Sequence, residues 1–206
     1  MISVVTIARE YGSGGAELGR LVALKLGWEL LDRQLVDRVA NIAGLDPEAA
    51  ARLDEQASRW WRWVVAAGAS IASPYPFALS MWSGETDEDS VHALTTQLIQ
   101  AAADSGGCVI VGRGAQCFLQ GRPDVFNVLA YAPLEERIRR LRARQPESAD
   151  IPPLIKEVDN RRAKYVRHYY RRDWCDKTLY DLCINTALGL EVATELVTTA
   201  IKLAKK

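Results

Sequence analysis

Two stretches of this chain hold residue types that could do chemistry on an anion. The first is Arg9-Glu10-Tyr11-Gly12-Ser13-Gly14-Gly15, a glycine cluster directly after the apolar, β-branched run at residues 3–8. Where a parallel strand hands over to a helix, free backbone N–H groups and the helix dipole favour a negative ligand such as phosphate. Glycines let the backbone itself come close to that ligand. An ordinary tight turn is the competing reading. The second stretch is residues 161–172, with six Lys or Arg residues and no acid. Guanidinium groups suit phosphate because their planar fork makes bidentate, permanently charged hydrogen bonds. Arg161, Lys164 and Arg167 follow at intervals of three, so one helix face can present several charges. A solvated basic helix is the plain alternative.

The elements that must position these residues follow from hydrophobic pattern. Leu18, Leu21, Val22, Leu24 and Leu26 recur at helical spacing after the glycines, which gives strand, loop, helix. A short extended piece is expected at 28–31, then a helix through Leu35, Val36, Val39 and Ile42 ended by Gly44, and a capped helix start at Asp46-Pro47-Glu48. Residues 59–84, with Arg59-Trp60-Trp61-Arg62-Trp63, read as a helix and an irregular loop. A helix over 89–103 leads to buried strands at 108–111 and 125–131. Pro133 opens a helix with Leu134, Ile138 and Leu141. Its five arginines, preceded by Glu135 and Glu136, read as the solvated side of an amphipathic helix. A loop at 146–153 introduces the basic helix, which runs to about 172, before a last strand at 180–184 and a last helix at 190–203. Strands separated by helices predict an α/β fold with a parallel sheet covered on both faces.

Composition narrows the classes. At 206 residues the chain can bury one substantial core, and one domain over 1–206 is the economical reading. Lys plus Arg and Asp plus Glu both total 26, so no global field draws the protein to nucleic acid or an anionic membrane. Without a secretion signal or a spanning apolar run, the expectation is a cytoplasmic protein that is not held in a membrane. Cys108, Cys117, Cys175 and Cys183 contain no close pair and read as reduced thiols. His92 and His168 lie apart from any metal-ligand pattern and read as surface or hydrogen-bonding residues, and a homo-oligomer is left open.

The segment Ile7-Ala8-Arg9-Glu10-Tyr11-Gly12-Ser13-Gly14-Gly15 resembles the start of the cytidylate kinase-like family, a branch of the nucleoside monophosphate kinases. Leu31-Asp32 with Arg38, Val109-Ile110-Val111-Gly112-Arg113-Gly114 and Tyr180-Asp181-Leu182-Cys183-Ile184-Asn185-Thr186 follow in family order. The resemblance implies a five-stranded parallel P-loop kinase core of three layers. It also implies an inserted helical acceptor-binding region, about 33–104, and a basic lid, about 146–173. The implied activity is transfer of the γ-phosphate of ATP to a nucleoside monophosphate such as CMP or dCMP, with Mg²⁺ bound mainly through the nucleotide phosphates. Gly12, Ser13, Gly14 and Gly15 would hold the ATP phosphates, Asp32, Arg38 and Arg113 the acceptor. Arg161, Arg162 and Arg167 would be the catalytic lid arginines, with Asp159, at the start of that helix, organising them.

The chain departs from the family's better-known members at two places. Gly15 stands at the usual P-loop lysine and Glu17 at the usual hydroxyl, which leaves Arg9 as a substitute cation. Val111 and Gly114 replace acids that flank Gly-Arg in cytidylate kinases, so the acceptor base is open. The rival reading is a non-catalytic nucleotide-binding or regulatory protein with a degenerate P-loop. A weaker one is an RNA-binding protein using residues 161–172 and the tryptophans at 60–63.

Overall fold

The computed structural model describes residues 1–32, 88–144 and 150–204. The predicted elements between 33 and 87, the tryptophan segment and Arg38 lie outside the described residues. Five strands, β1 (Val4–Arg9), β2 (Glu29–Leu31), β3 (Cys108–Val111), β4 (Val125–Tyr131) and β5 (Leu182–Asn185), form one sheet in the order β2-β3-β1-β4-β5. All four pairings are parallel, with Val4 opposite Cys108 on one side and Val125 on the other. The helices are α1 (Gly15–Leu26), α2 (Glu88–Ser105), the short α3 (Ala115–Phe118), α4 (Leu134–Arg144), α5 (Ile151–Tyr170) and α6 (Leu190–Leu203).

A strand covered on both faces must be apolar at odd and even positions alike, and β1 and β3 are. Val5, Ile7, Val109 and Val111 pack with Leu18 and Val22 of α1 and with Ala193 and Val197 of α6. Val4, Cys108 and Ile110 point to the opposite layer, against Leu98, Ile99 and Ala102 of α2 and Ala115 and Leu119 around α3. Thr6 is the polar exception in β1; its hydroxyl donates to Asn127 Oδ1 at 2.6 Å, so its burial leaves no orphaned group. A smaller cluster, Leu141, Ile151 and Ile155 with Tyr11 and Ile138, joins α4 and α5 to the glycine loop.

Boundaries differ from the sequence reading in three places. The basic helix begins at Ile151 instead of after Pro153, because Pro152 and Pro153 sit in its first turn, where a missing N–H costs nothing. The last strand begins at Leu182, because Lys177–Leu179 forms a 3₁₀ turn capped by Asp176, whose carboxylate accepts from Thr178 N–H. Residues 88–104, assigned to the inserted region, belong to α2, whose Leu98, Ile99, Ala102 and Ala103 pack on the sheet. Among the described residues no helix is long and apolar enough to cross a membrane.

Candidate functional site

The site forms where β1 and β3 end. Glu10 N–H makes the last sheet-like bond of β1, to Ala130 O at 3.0 Å, and the chain then turns through Gly12 (φ 81°) and Gly14 (φ 80°). Gly14 is the N-cap of α1 and offers no side chain, so among the described residues nothing caps the first N–H groups of the helix and they can meet a ligand. Ser13 is fully buried, and its hydroxyl donates to Glu10 O at 2.8 Å. Its side chain therefore closes the loop internally, and its backbone N–H donates to the same Glu10 O at 3.3 Å, so Ser13 offers no open donor to an anion. Glu17, in the first turn of α1, is bound by Arg20 through both carboxylate oxygens, and the Arg20 hydrogen bond holds its pKa below the ordinary carboxylate value.

Helix α5 crosses above this loop. Leu154, Val158, Arg161, Tyr165 and Tyr169, at steps of three and four, face a cavity of about 950 Å³. Arg162 and Lys164 also line it, but Arg167 does not and is exposed. Two successive steps of three turn a helix about 120° away from the starting direction, which separates Arg167 from Arg161. Arg161 is mostly exposed and pairs with Glu157 at 3.7 Å. Arg162 is sunk deeper: it donates to Arg9 O at 2.8 Å, and desolvation lowers its pKa against the opposing pull of Asp159.

Asp159 is the ninth residue of α5 and not at its start, since the helix begins at Ile151, inside the loop predicted at 146–153. It accepts Tyr11 N–H at 2.8 Å, pairs with Arg162 at 3.5 Å and forms a close ion pair with Arg137. It thus ties α5 to the loop backbone.

The far wall is Gly112-Arg113-Gly114, with φ values of 81°, 57° and 70°. Left-handed geometry at a non-glycine residue costs on the order of 1 kcal/mol, so Arg113 holds local strain. The Tyr170 ring fills the space a Cβ at Gly114 would take, and its hydroxyl lies 3.5 Å from Arg113 O. His92 of α2 completes the wall, stacked on Tyr169 with ring centroids 3.7 Å apart and its Nδ1 2.7 Å from the Tyr165 hydroxyl. Arg9 lines the cavity beside Arg113, with its guanidinium where a side chain at Gly112 would stand. Asp32 follows β2 at the sheet edge and is not among the cavity-lining residues.

The cavity thus brings together Arg9, Tyr11, Arg113, Arg161 and Arg162; Gly12, Ser13, Gly14 and Gly15 are not among its lining residues, and Asp159 joins the loop through Tyr11 N–H. The structure also adds two arginines that sequence reasoning assigned to solvent. Arg137 is 7% exposed; its Nε donates to Tyr11 O at 2.7 Å and it pairs with Glu10 at 3.2 Å. Arg140 donates to Ser13 O at 2.6 Å and to Thr186 O at 2.8 Å. The available signal was their spacing: with Leu141 they form a three-and-four face turned inward, while Arg139 and Arg142 point out.

A sequence profile of the cytidylate kinase-like family matches residues 4–188, from the start of β1 to the turn after β5. The chain belongs to that family. Among curated relatives, a cytidylate kinase from Methanosarcina mazei is 31% identical over 80 residues, 38% of this chain and 44% of that protein. The match thus spans less than half of the relative's length. Among solved structures, an uncharacterized protein from Eubacterium ventriosum superposes with a TM-score of 0.70 at 20% identity, covering 99% of this chain and all of that one. Shikimate kinase from Bacteroides thetaiotaomicron gives 0.53 at 14% identity over 98% of this chain and 100% of its own. Shikimate kinase from Acinetobacter baumannii, in complex with shikimate, gives 0.51 at 15% over 100% and 97%. These likenesses establish the α/β P-loop kinase fold of this cytidylate kinase-like chain.

Proposed function

We propose that this family member is an ATP-dependent phosphotransferase whose acceptor is a nucleoside monophosphate such as CMP or dCMP. The observation that carries the reading is the shared cavity: one space of about 950 Å³ is bounded by Arg9 and Tyr11 of the glycine loop, Arg113 at the end of β3, and Arg161 and Arg162 of α5. A volume of that order accommodates nucleotide groups, and cations on three sides suit phosphates meeting in its middle. The name of the Methanosarcina relative, a cytidylate kinase, supports the choice of acceptor.

ATP would enter as its Mg²⁺ complex, the metal held by phosphate oxygens and water. The open N–H groups at Gly12, Gly14 and the start of α1 would take its phosphates, with Arg9 substituting for the absent lysine. An oxygen of the acceptor phosphate, held by Arg113 and, as the family resemblance implies, by Arg38, attacks the γ-phosphorus in line. The bond from that phosphorus to the β–γ bridging oxygen breaks, and ADP leaves. Arg161 and Arg162 neutralise charge on the transferring group, as phosphoryl transfer requires. Arg162 reaches it by giving up its bond to Arg9 O, and Asp159 keeps α5 registered on the loop.

Glu17 supports a second reading, a nucleotide-binding protein that does not transfer. A carboxylate locked to Arg20 stands where P-loop kinases have a metal-binding hydroxyl. A coupled assay with ATP, Mg²⁺ and CMP, dCMP, UMP, AMP or GMP separates the two. Turnover with one pyrimidine monophosphate is the expected result. ATP binding without turnover on any acceptor selects the second reading, and no nucleotide binding at all overturns both.

A further inference from the structure

The glycine loop is backed by guanidinium groups on its carbonyl side. Arg137 Nε donates to Tyr11 O and Arg140 Nη1 donates to Ser13 O, at 2.7 and 2.6 Å. A trans peptide points its N–H away from its C=O, and the described backbone contains no cis bond. The N–H groups across these two peptides belong to Gly12 and Gly14. Among the described residues neither meets a protein acceptor, whereas Glu10, Tyr11 and Ser13 N–H groups donate to Ala130 O, Asp159 and Glu10 O. The peptides backed by arginine are therefore the ones that offer an open donor to an anion.

The two arginines differ in how far their charge is cancelled. Arg137 and Arg162 share Glu10 and Asp159, two cations against two anions. Among the described residues Arg140 and Arg139 share Glu136 alone, two cations against one, at 2.8 and 2.6 Å. Hydrogen bonding from Arg139 and the charge of Arg140 keep Glu136 ionised well into acid. Among the described residues one net positive charge thus remains behind the Ser13–Gly14 peptide. It is fixed there by Thr186, a fully buried residue whose hydroxyl lies 3.0 Å from Arg140 Nη1.

We propose that Arg140 is a positioning residue for phosphate: it aligns and polarises the Ser13–Gly14 peptide from behind and supplies, through that peptide, positive potential that the lysine absent at Gly15 would otherwise give. The proposal rests on the reading that the glycine loop binds the phosphates of ATP. It differs from a purely structural role because the charge acts on the anion even though the side chain never touches it.

Calorimetric binding of Mg-ATP and of inorganic tripolyphosphate to the full chain, at low and moderate salt, tests this, with Tm recorded for each variant. Arg140→Gln should weaken both ligands about tenfold, which is what a unit charge one peptide away gives at an effective dielectric between protein surface and water. Arg140→Lys should restore most of that loss. Glu136→Gln, which uncovers more of the Arg140 charge, should tighten both ligands about threefold at low salt, with the gain shrinking as salt rises. Thr186→Val should lower Tm more than it lowers affinity. Unchanged binding in Arg140→Gln overturns the proposal, and so does a Glu136→Gln protein that binds more weakly than the parent. If Arg140→Gln does not fold, the sign of the Glu136→Gln effect decides alone. A parent chain that binds neither ligand refutes the phosphate-loop reading itself, which separates that failure from this one.

Discussion

Restoring the P-loop lysine at Gly15 should damage the protein. A Cβ at Gly15 would stand under 3.0 Å from Arg9 Cβ and 3.1 Å from Ala130 Cβ. Both atoms hang directly from strands of the sheet, β1 and β4, so neither can swing aside as a side-chain tip would. Relief requires the start of α1 to move off the sheet, and overpacking of this kind costs about 2–3 kcal/mol, the upper part of its usual range. Against it stands the gain from removing a helical glycine, about 1 kcal/mol. Gly15 does not have a positive φ, so no conformational penalty is added. Gly15→Ala should therefore be destabilising by about 1–2 kcal/mol in urea unfolding, and Gly15→Lys by at least as much with no gain in ATP affinity. Arg9→Ala keeps the offending Cβ and should not rescue Gly15→Ala; Arg9→Gly removes it and should recover about 1 kcal/mol in a double-mutant cycle. A Gly15→Ala protein as stable as the parent, or a Gly15→Lys protein that binds ATP more tightly, would show that the lysine was lost without anything taking its place.

Two further outcomes follow from the same wall of the cavity. Gly112→Ala puts a methyl group where the Arg9 guanidinium lies, at a φ of +81° that alanine resists, so ATP affinity should fall as far as in Arg9→Ala, measured by calorimetry. His92 is disfavoured in its charged form, first by burial and then by His168, with Asp89 pulling the other way, so its pKa lies below the ordinary 6.5. The unfolded chain therefore takes up that proton at higher pH than the folded one. Stability should be lost as pH drops below about 6.5 and be insensitive to His92 above it. His92→Gln should remove that component of the slope in urea unfolding from pH 7.5 to 5.5; parallel slopes for the two proteins would refute the assignment.

The parts of the fold set by hydrophobic pattern were legible in the sequence. Strands such as Cys108–Val111 and Val125–Tyr131 are continuous apolar runs because both faces are covered, and α6 repeats at 3.6 because one face is. The glycine loop was legible because it combines left-handed turns with an open helix start, and only glycine serves both well. Arg137 and Arg140 were not. A charged side chain at helical spacing reads as solvated unless the carbonyl that accepts from it is close in the chain, and Tyr11 O and Ser13 O come from a loop more than 120 residues away. For His92 a hydrogen-bonding role was legible but its partners were not, because Tyr165 and Tyr169 are brought to it by the docking of α5, some 70 residues on.

Arg113 bears on whether transfer accompanies binding. A protein that only held ATP would need the glycine loop and the arginines behind it, all on the β1 and α4 side of the cavity. It would not need an arginine kept at φ 57° between two left-handed glycines at the end of β3, with Tyr170 packed against the second of them. Strain of that kind persists only where surrounding structure enforces it, and it favours a site that must present a side chain in one direction. Arg113→Gly should accept the same backbone without strain, so stability should stay within about 1 kcal/mol of the parent as relief offsets lost contacts. ATP affinity, set by the glycine loop and by Arg9, whose guanidinium stays against the unchanged Gly112, should change less than threefold. The KM for the acceptor monophosphate should rise by a factor of about 100, the scale of a lost charged hydrogen-bonding pair. An Arg113→Gly protein that transfers phosphate with the parent's acceptor KM would remove Arg113 from the acceptor site, and with it the main structural argument that this cavity joins two substrates.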